Sequence, residues 1–362
     1  MVRSLIPAQI FGLNGITLIQ KGAKNMKKPI KRLGLAMCAA ILLASVSGCG
    51  SNSAKAADKI TLCEVTHSIF YAPQYAAINL GYFKEEGIDI DLSCAEGTDK
   101  VMSAVLSDKV NIGFAGPEAS IYVYNEGKAD HTQVFALLTQ RDGSFLVGRT
   151  PDPNFTWDKL RGKVILPGRK GGVPYMALEY VIRKNGLDPN KDTTLDNSIQ
   201  FALMAGAFTS GTGDYVALFE PTASMLEAAG KGYIVASIGK QSGEIPYTAY
   251  FAKKSYLEKN PDLIYRFTRA VYKGQKWVAS HNAADIAKLI APSFPDTDAK
   301  LLTTVVQRYK DIDVWSPTPL LKPDSFTLLQ NVITQAGELK QAAPYDKVVN
   351  TSFAQKVVSE VK

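Results

Sequence analysis

The 362-residue chain is short of the residues that usually announce chemistry. It has three histidines and four cysteines, and no cysteine sits in a C-x-x-C pair or at metal-ligand spacing, so neither a zinc site nor a dithiol redox centre is written in it. The stretch "LPGRKGGVPYMALEY", residues 166–180, has the glycines and basic residues of a phosphate loop. It lacks the Lys-Ser/Thr that would follow the second glycine, and G-x-G-x-x-G is missing as well, so a nucleotide-binding loop is excluded there. Acidic residues are absent from 1–48, where Arg3, Lys21, Lys24, Lys27, Lys28, Lys31 and Arg32 supply the whole formal charge of +7; the remaining chain is neutral. A neutral body gives no electrostatic case for nucleic acid as a partner. Long apolar runs are missing too: Leu33 to Val46 falls short of the ~20 residues of a spanning helix, and no later run reaches that length.

What the front does contain is a targeting pattern of basic residues, the apolar run, and then "VSGCGSNS". It resembles a bacterial lipoprotein signal, in which Val46-Ser47-Gly48 precedes a cysteine that is acylated and becomes the mature N-terminus. Residues 1–48 are read as the signal region, Cys49 as the lipidated residue, and 49–58 as a flexible tether on the outer face of the membrane. Codons for Lys21-Gly22-Ala23 can spell a purine-rich ribosome-binding sequence, so Met26 is the expected start. With Cys38 in the signal, Cys63 and Cys94 remain for the body. They are expected as free buried thiols, a disulfide being the alternative in an exported protein.

From residue 59 onward the chain alternates between strand and helix patterns. "DKITLCEV" and "IDIDLSC" alternate in period two around the helical "APQYAAINLGYFKEEG"; "TDKVMSAVLSDK", "VNIGFAG" and "EASIYVYNEG" repeat the theme. This pattern predicts a parallel sheet covered on both faces. "QVFALLTQ" and "SFLVGRT" are further strands, with Arg141-Asp142-Gly143 as a turn between them. A second α/β unit follows: strand "KVILPG", helices "VPYMALEYVIRKNG" and "SIQFALMAGAF", strand "DYVALF", helix "PTASMLEAAG", strand "GYIVASI". "PYTAYFAKK" returns as a strand and the rest is mainly helical, with Leu263, Phe267, Ala270, Val271, Trp277 and Val278 forming a core stripe. The expected architecture is two α/β lobes, 59–142 with 248–362 and 143–247, joined by crossing strands and enclosing a cleft at the strand ends.

Candidate ligand residues lie where strands end and helices begin. His67, Phe70 and Tyr71 precede a helix start, where aromatics can stack on a planar ligand or simply pack into the core. Gly116, Pro117 and Glu118 open another helix; Pro and Glu suit a first turn on local grounds, and Glu118 could equally accept from a ligand amine. Gln140, Arg141 and Asp142 lie where the chain leaves the first lobe and either pair with one another or reach a ligand. Arg169, Gly171, Gly172 and Val173 form a helix N-terminus suited to a sulfonate, phosphate or carboxylate, or else a solvated turn. Glu220 sits at a strand-to-helix switch facing the same cleft.

"FYAPQYAAINLGYFKEEGIDIDL", "VMSAVLSDKVNIGFAG" and "FEPTASML" together resemble the SsuA/THI5-like (NMT1) group: substrate-binding proteins of ABC importers for sulfonate, nitrate and thiamine pyrimidines, and the fungal thiamine-pyrimidine synthases. The resemblance implies a type II periplasmic-binding fold with a hinge, a small-molecule ligand swallowed between the lobes, an ABC permease as partner, and no cofactor or catalytic residue. It also implies a test of the synthase alternative, whose pyridoxal-phosphate lysine and consumed histidine fall at Ala115 and Ala119 here. A monomeric, lipid-anchored binding protein is therefore expected. A thiamine-pyrimidine precursor or similar heteroaromatic is favoured over an alkylsulfonate or nitrate-type ligand.

Overall fold

The computed structural model describes residues 56–361, so the signal region, Cys49 and most of the tether lie outside the described residues. Period-two runs become strands wherever alternate residues find a core. In β1 (Asp58–Glu64), Ile60 and Leu62 are fully buried while Lys59 pairs with Asp91 at the surface. β1 lies parallel to β2 (Ile88–Cys94) and to β3 (Ile112–Ala115). The sheet is completed by β10 (Thr248–Lys253) and β4 (Thr132–Thr139), in the order β2-β1-β3-β10-β4.

A second sheet has the order β7-β6-β8-β5-β9, from β5 (Ser144–Gly148), β6 (Val164–Leu166), β7 (Thr194–Leu195), β8 (Tyr215–Phe219) and β9 (Tyr233–Ser237). Neither sheet is purely parallel as expected. β10 runs antiparallel to both β3 and β4, and β5 antiparallel to β8 and β9, because each arrives from the other sheet rather than through a crossover helix. Arg141-Asp142-Gly143 carries the chain from β4 in the first sheet to β5 in the second.

The helix Pro261–Ser280 lays its apolar stripe on the first sheet, with Phe267 edge-on to Tyr250 at 5.2 Å. Tyr250 in turn stacks on Phe114 at 4.3 Å. Each such fully buried ring contributes about 1.5–3 kcal/mol of transfer free energy. Trp277 departs from the stripe: it is only half-buried and stacks on His281 at 3.9 Å, beside an open groove of about 660 Å³ that Asn79, Asp285 and Lys288 also line. In the second sheet the helix Val173–Lys184 buries Ala177, Leu178, Val181 and Ile182 against Leu146, Ile165 and Ala217. The "SIQFALMAGAF" helix is shorter than expected, with only Met204–Thr209 α-helical; Asp196 turns its side chain onto the Ser198 amide and hydroxyl, and Phe201 and Leu203 are left exposed. Cys63 is buried and Cys94 exposed, and the two thiols are free. No described helix is long and apolar enough to cross a membrane.

Candidate ligand-binding site

The loops at the ends of β1, β3, β6 and β8 meet between the two sheets, together with the crossing segments 140–143 and 245–248. Phe70 lies at the junction. It packs on Phe219 of the second sheet at 5.9 Å, on Tyr247 at 5.8 Å and on Tyr309 at 5.2 Å, and its carbonyl accepts from the Trp315 indole at 2.9 Å. Tyr71 stands edge-on to Phe114 at 4.6 Å and is buried, with its hydroxyl beside Thr248; burial drives its pKa well above the ordinary value. On the opposite rim the Tyr122 hydroxyl donates to the Gly171 carbonyl at 3.5 Å, so the two lobes touch there too.

Glu118 opens the helix Glu118–Asn125 behind Pro117, and its side chain folds back over Gly116, where a Cβ would come within 2.0 Å of its Oε2. Only a glycine tolerates that approach. The carboxyl is 3% exposed and its Oε2 has no hydrogen-bond partner. Burial pushes its pKa up to about 7, offset in part by its own backbone and by the Arg169 guanidinium across the cleft. Asp142, in the crossing segment, accepts from the Ser144 amide and hydroxyl on Oδ1, while its Oδ2 is unpartnered; burial raises it to about 6. The Tyr247 hydroxyl faces Asp142 and feels Tyr71 and Glu118, and it too has no well-formed hydrogen bond. Asp142 and Tyr247 thus face each other across the junction, and Glu118 nearby keeps a buried oxygen with no partner.

Other expected ligand residues are held by the protein itself. His67 is bound to Glu64 and to the Ser293 carbonyl. Gln140 donates to Asp313, and Arg141 faces Asp313 at 3.7 Å and Glu244 at 3.9 Å, although its Nε is unpartnered. Glu220 accepts from the Ser224 amide and hydroxyl and from Arg308 at 3.0 Å. Gly172 caps the helix Val173–Lys184 with extended backbone after Gly171 at φ 79°, and Val173 is buried, whereas Arg169 is largely exposed and 3.9 Å from Asp99. Tyr247, Phe219, Tyr309 and Trp315 escaped the sequence reading. Tyr247 reads locally as ordinary strand, and the other three carry no signal that would bring residues so far apart in the chain together.

Several known proteins are similar to this chain. YtlA of Bacillus subtilis (strain 168), which carries the name of a binding protein, is 48% identical over 91% of this chain and 98% of its own. The 4-amino-5-hydroxymethyl-2-methylpyrimidine phosphate synthase of Aspergillus parasiticus is 28% identical over 63% of this chain and 68% of its own. Among solved structures, the periplasmic aliphatic sulphonate binding protein SsuA from Escherichia coli superposes with a TM-score of 0.64 at 15% identity, covering 84% of this chain and 99% of that one. Likeness at that identity concerns the fold, which is the two-lobed type II periplasmic-binding architecture. A family model described as NMT1/THI5 like matches residues 69–284, and the chain belongs to the NMT1/THI5-like family.

Proposed function

We propose that this chain is an extracytoplasmic solute-binding protein, anchored through a lipid on Cys49, that hands a small organic ligand to an ABC importer in the membrane. In this reading 59–142 with 248–362 and 143–247 are the lobes that close on the ligand, and Tyr71, Glu118, Asp142 and Tyr247 line its site. The observation that carries it is Glu118 Oε2, buried at the junction of the sheets without a partner, beside the facing pair Asp142 and Tyr247. An unsatisfied group of this kind costs about 1–3 kcal/mol, so it suits a ligand that supplies the missing hydrogen bond. The Glu118 carboxyl can accept from a donor such as a ring amine, and the rings of Phe70, Tyr71 and Phe219 suit a planar body. A thiamine-pyrimidine precursor or similar heteroaromatic is therefore favoured.

An alkylsulfonate is the second reading, supported by Arg169 acting on Glu118 and by the uncapped helix start at Gly172. Its weakness is electrostatic: Arg169 is mostly in solvent, and two buried carboxyls oppose an anion. A synthase reading finds only methyl groups at Ala115 and Ala119, which can neither bind pyridoxal phosphate nor be consumed. Native mass spectrometry of the soluble body from Ser51 onward, followed by calorimetry on refolded ligand-free protein, tests the choice. Retention of a heteroaromatic mass and binding of pyrimidines are expected; binding of sulfonates and not of pyrimidines would overturn the ligand class.

A further inference from the structure

His67 departs from the cleft in a particular way. Its Nδ1 lies 2.8 Å from Glu64 Oε1, and its Nε2 lies 2.7 Å from the Ser293 carbonyl oxygen. The Glu64 carboxyl is 1% exposed, and its second oxygen already accepts from the Gln74 amide and the Tyr75 hydroxyl, both at 2.8 Å. Having given its proton to Glu64, the Tyr75 oxygen is left to accept from His67 Nδ1 at 3.0 Å. Both ring nitrogens thus face acceptors, and a neutral imidazole has one N–H to offer. A singly protonated ring would turn a lone pair onto either the Glu64 carboxylate or the Ser293 carbonyl. Phe294 packs on the ring at 4.8 Å and closes one side of it. Asp285 and Lys288 of the helix Ala283–Ile290 line the neighbouring groove beyond Asn79, so Glu64 is the charge that acts on the ring.

We propose that His67 is a positioning residue: its doubly protonated ring ties the segment 65–71 to the turn Ala291–Ser293, and Phe70 and Tyr71 are held in place while that ring keeps both protons. The segment begins at the end of β1 beside Glu64 and ends at Phe70 and Tyr71, three and four residues beyond His67. Its internal bonds are few: Ser68 accepts from the Phe70 amide on Oγ and from the Tyr71 amide on its carbonyl. From outside it is tied by the Phe114 carbonyl at Val65, by Glu220 at Ser68 and by Trp315 at Phe70, and the brace to Ser293 fixes its middle. Hydrogen bonding to Glu64 raises the His67 pKa above 6.5, against partial desolvation. The brace is therefore complete at acidic pH and is lost as pH rises through the raised value. That Phe70 and Tyr71 form a ligand wall rests on the proposed function; the brace itself does not.

The test needs no ligand, so its failure is separate from failure of the functional reading. With three histidines in the chain, nitrogen-detected NMR can follow each ring. His67 is expected to titrate above 6.5 with protons on both nitrogens below that point, and Glu64→Gln to return it toward 6.5. In parallel, amide exchange at Phe70 and Tyr71, referenced to buried amides elsewhere, should quicken about tenfold per unit of pKa shift as His67 deprotonates. In His67→Gln that exchange should be fast and independent of pH. A His67 ring that titrates at or below 6.5, or protection at Phe70 and Tyr71 that ignores both pH and His67→Gln, overturns the proposal.

Discussion

Glu118 is a carboxyl held where water cannot reach it, and the consequence is measurable without knowing the ligand. Its pKa rises from 4.5 to about 7 because burial penalises the charged form. Between those values the folded chain binds more protons than the unfolded one, so stability falls as pH climbs through that window. Glu118 alone withdraws up to ~3 kcal/mol by about pH 8. Glu118→Gln removes that burden: its melting temperature should match the wild type near pH 5 and exceed it near pH 8. A lower melting temperature for the variant near pH 8 would mean that the carboxylate is stabilised by a charge partner. The positions of Glu118 and Asp142 just beyond strand ends, and of Tyr71 at a helix start, are local features that periodicity marks, and all three are buried. The partners of His67, Gln140 and Glu220 were not. Ser293 and Arg308 belong to C-terminal helical turns and Asp313 follows one, and their docking is set by packing, of which local pattern carries no record.

Helices here approach one another more closely than side chains would allow. Gly274, midway along Pro261–Ser280, faces the helix Ala72–Asn79, and a Cβ there would sit 2.3 Å from the Pro73 carbonyl oxygen and 2.9 Å from Ala77. Backbone cannot swing aside as a flexible side chain does. Gly274→Ala should therefore lose about 1–3 kcal/mol in denaturant unfolding with no change in its pH dependence. An unchanged midpoint would show that the two helices are not in that contact. Helix and strand identities were readable from periodicity, since each period reflects one buried face. Strand direction was not, because β10 and β5 owe theirs to the crossings between sheets and not to their own residues.

The molecule as a whole is drawn together around Glu220. Arg308, from the helix Ala299–Asp311, donates to Glu220 at 3.0 Å and to Ser224 at 2.5 Å, and also pairs with Glu227. The Glu220 amide donates to the Tyr309 hydroxyl at 3.2 Å and Ser68 donates to the Glu220 carbonyl at 3.4 Å. These contacts join the loop after β8 to elements packed on the first sheet. Arg308→Gln leaves a buried carboxylate short of its cation, a change that costs ~3–5 kcal/mol when the pair is fully buried and less here, where Arg308 is 26% exposed. Lower thermal stability is expected, with a larger radius of gyration by small-angle scattering as the lobes part. Glu227→Gln should do less, since Glu227 is the more exposed partner. If neither stability nor radius responds to Arg308→Gln, the lobes are held elsewhere.

The sequence by itself determined the alternation of strand and helix and the positions where strands end. These are local properties, set by composition and period. Tertiary structure alone decided which polar groups are spent and which are left over. Glu220 and Glu118 both stand at a strand-to-helix switch, yet one is saturated by Arg308 and Ser224 and the other is buried with an oxygen to spare. That difference arises because a carboxylate's fate depends on its three-dimensional neighbours, and those come from parts of the chain far removed in sequence.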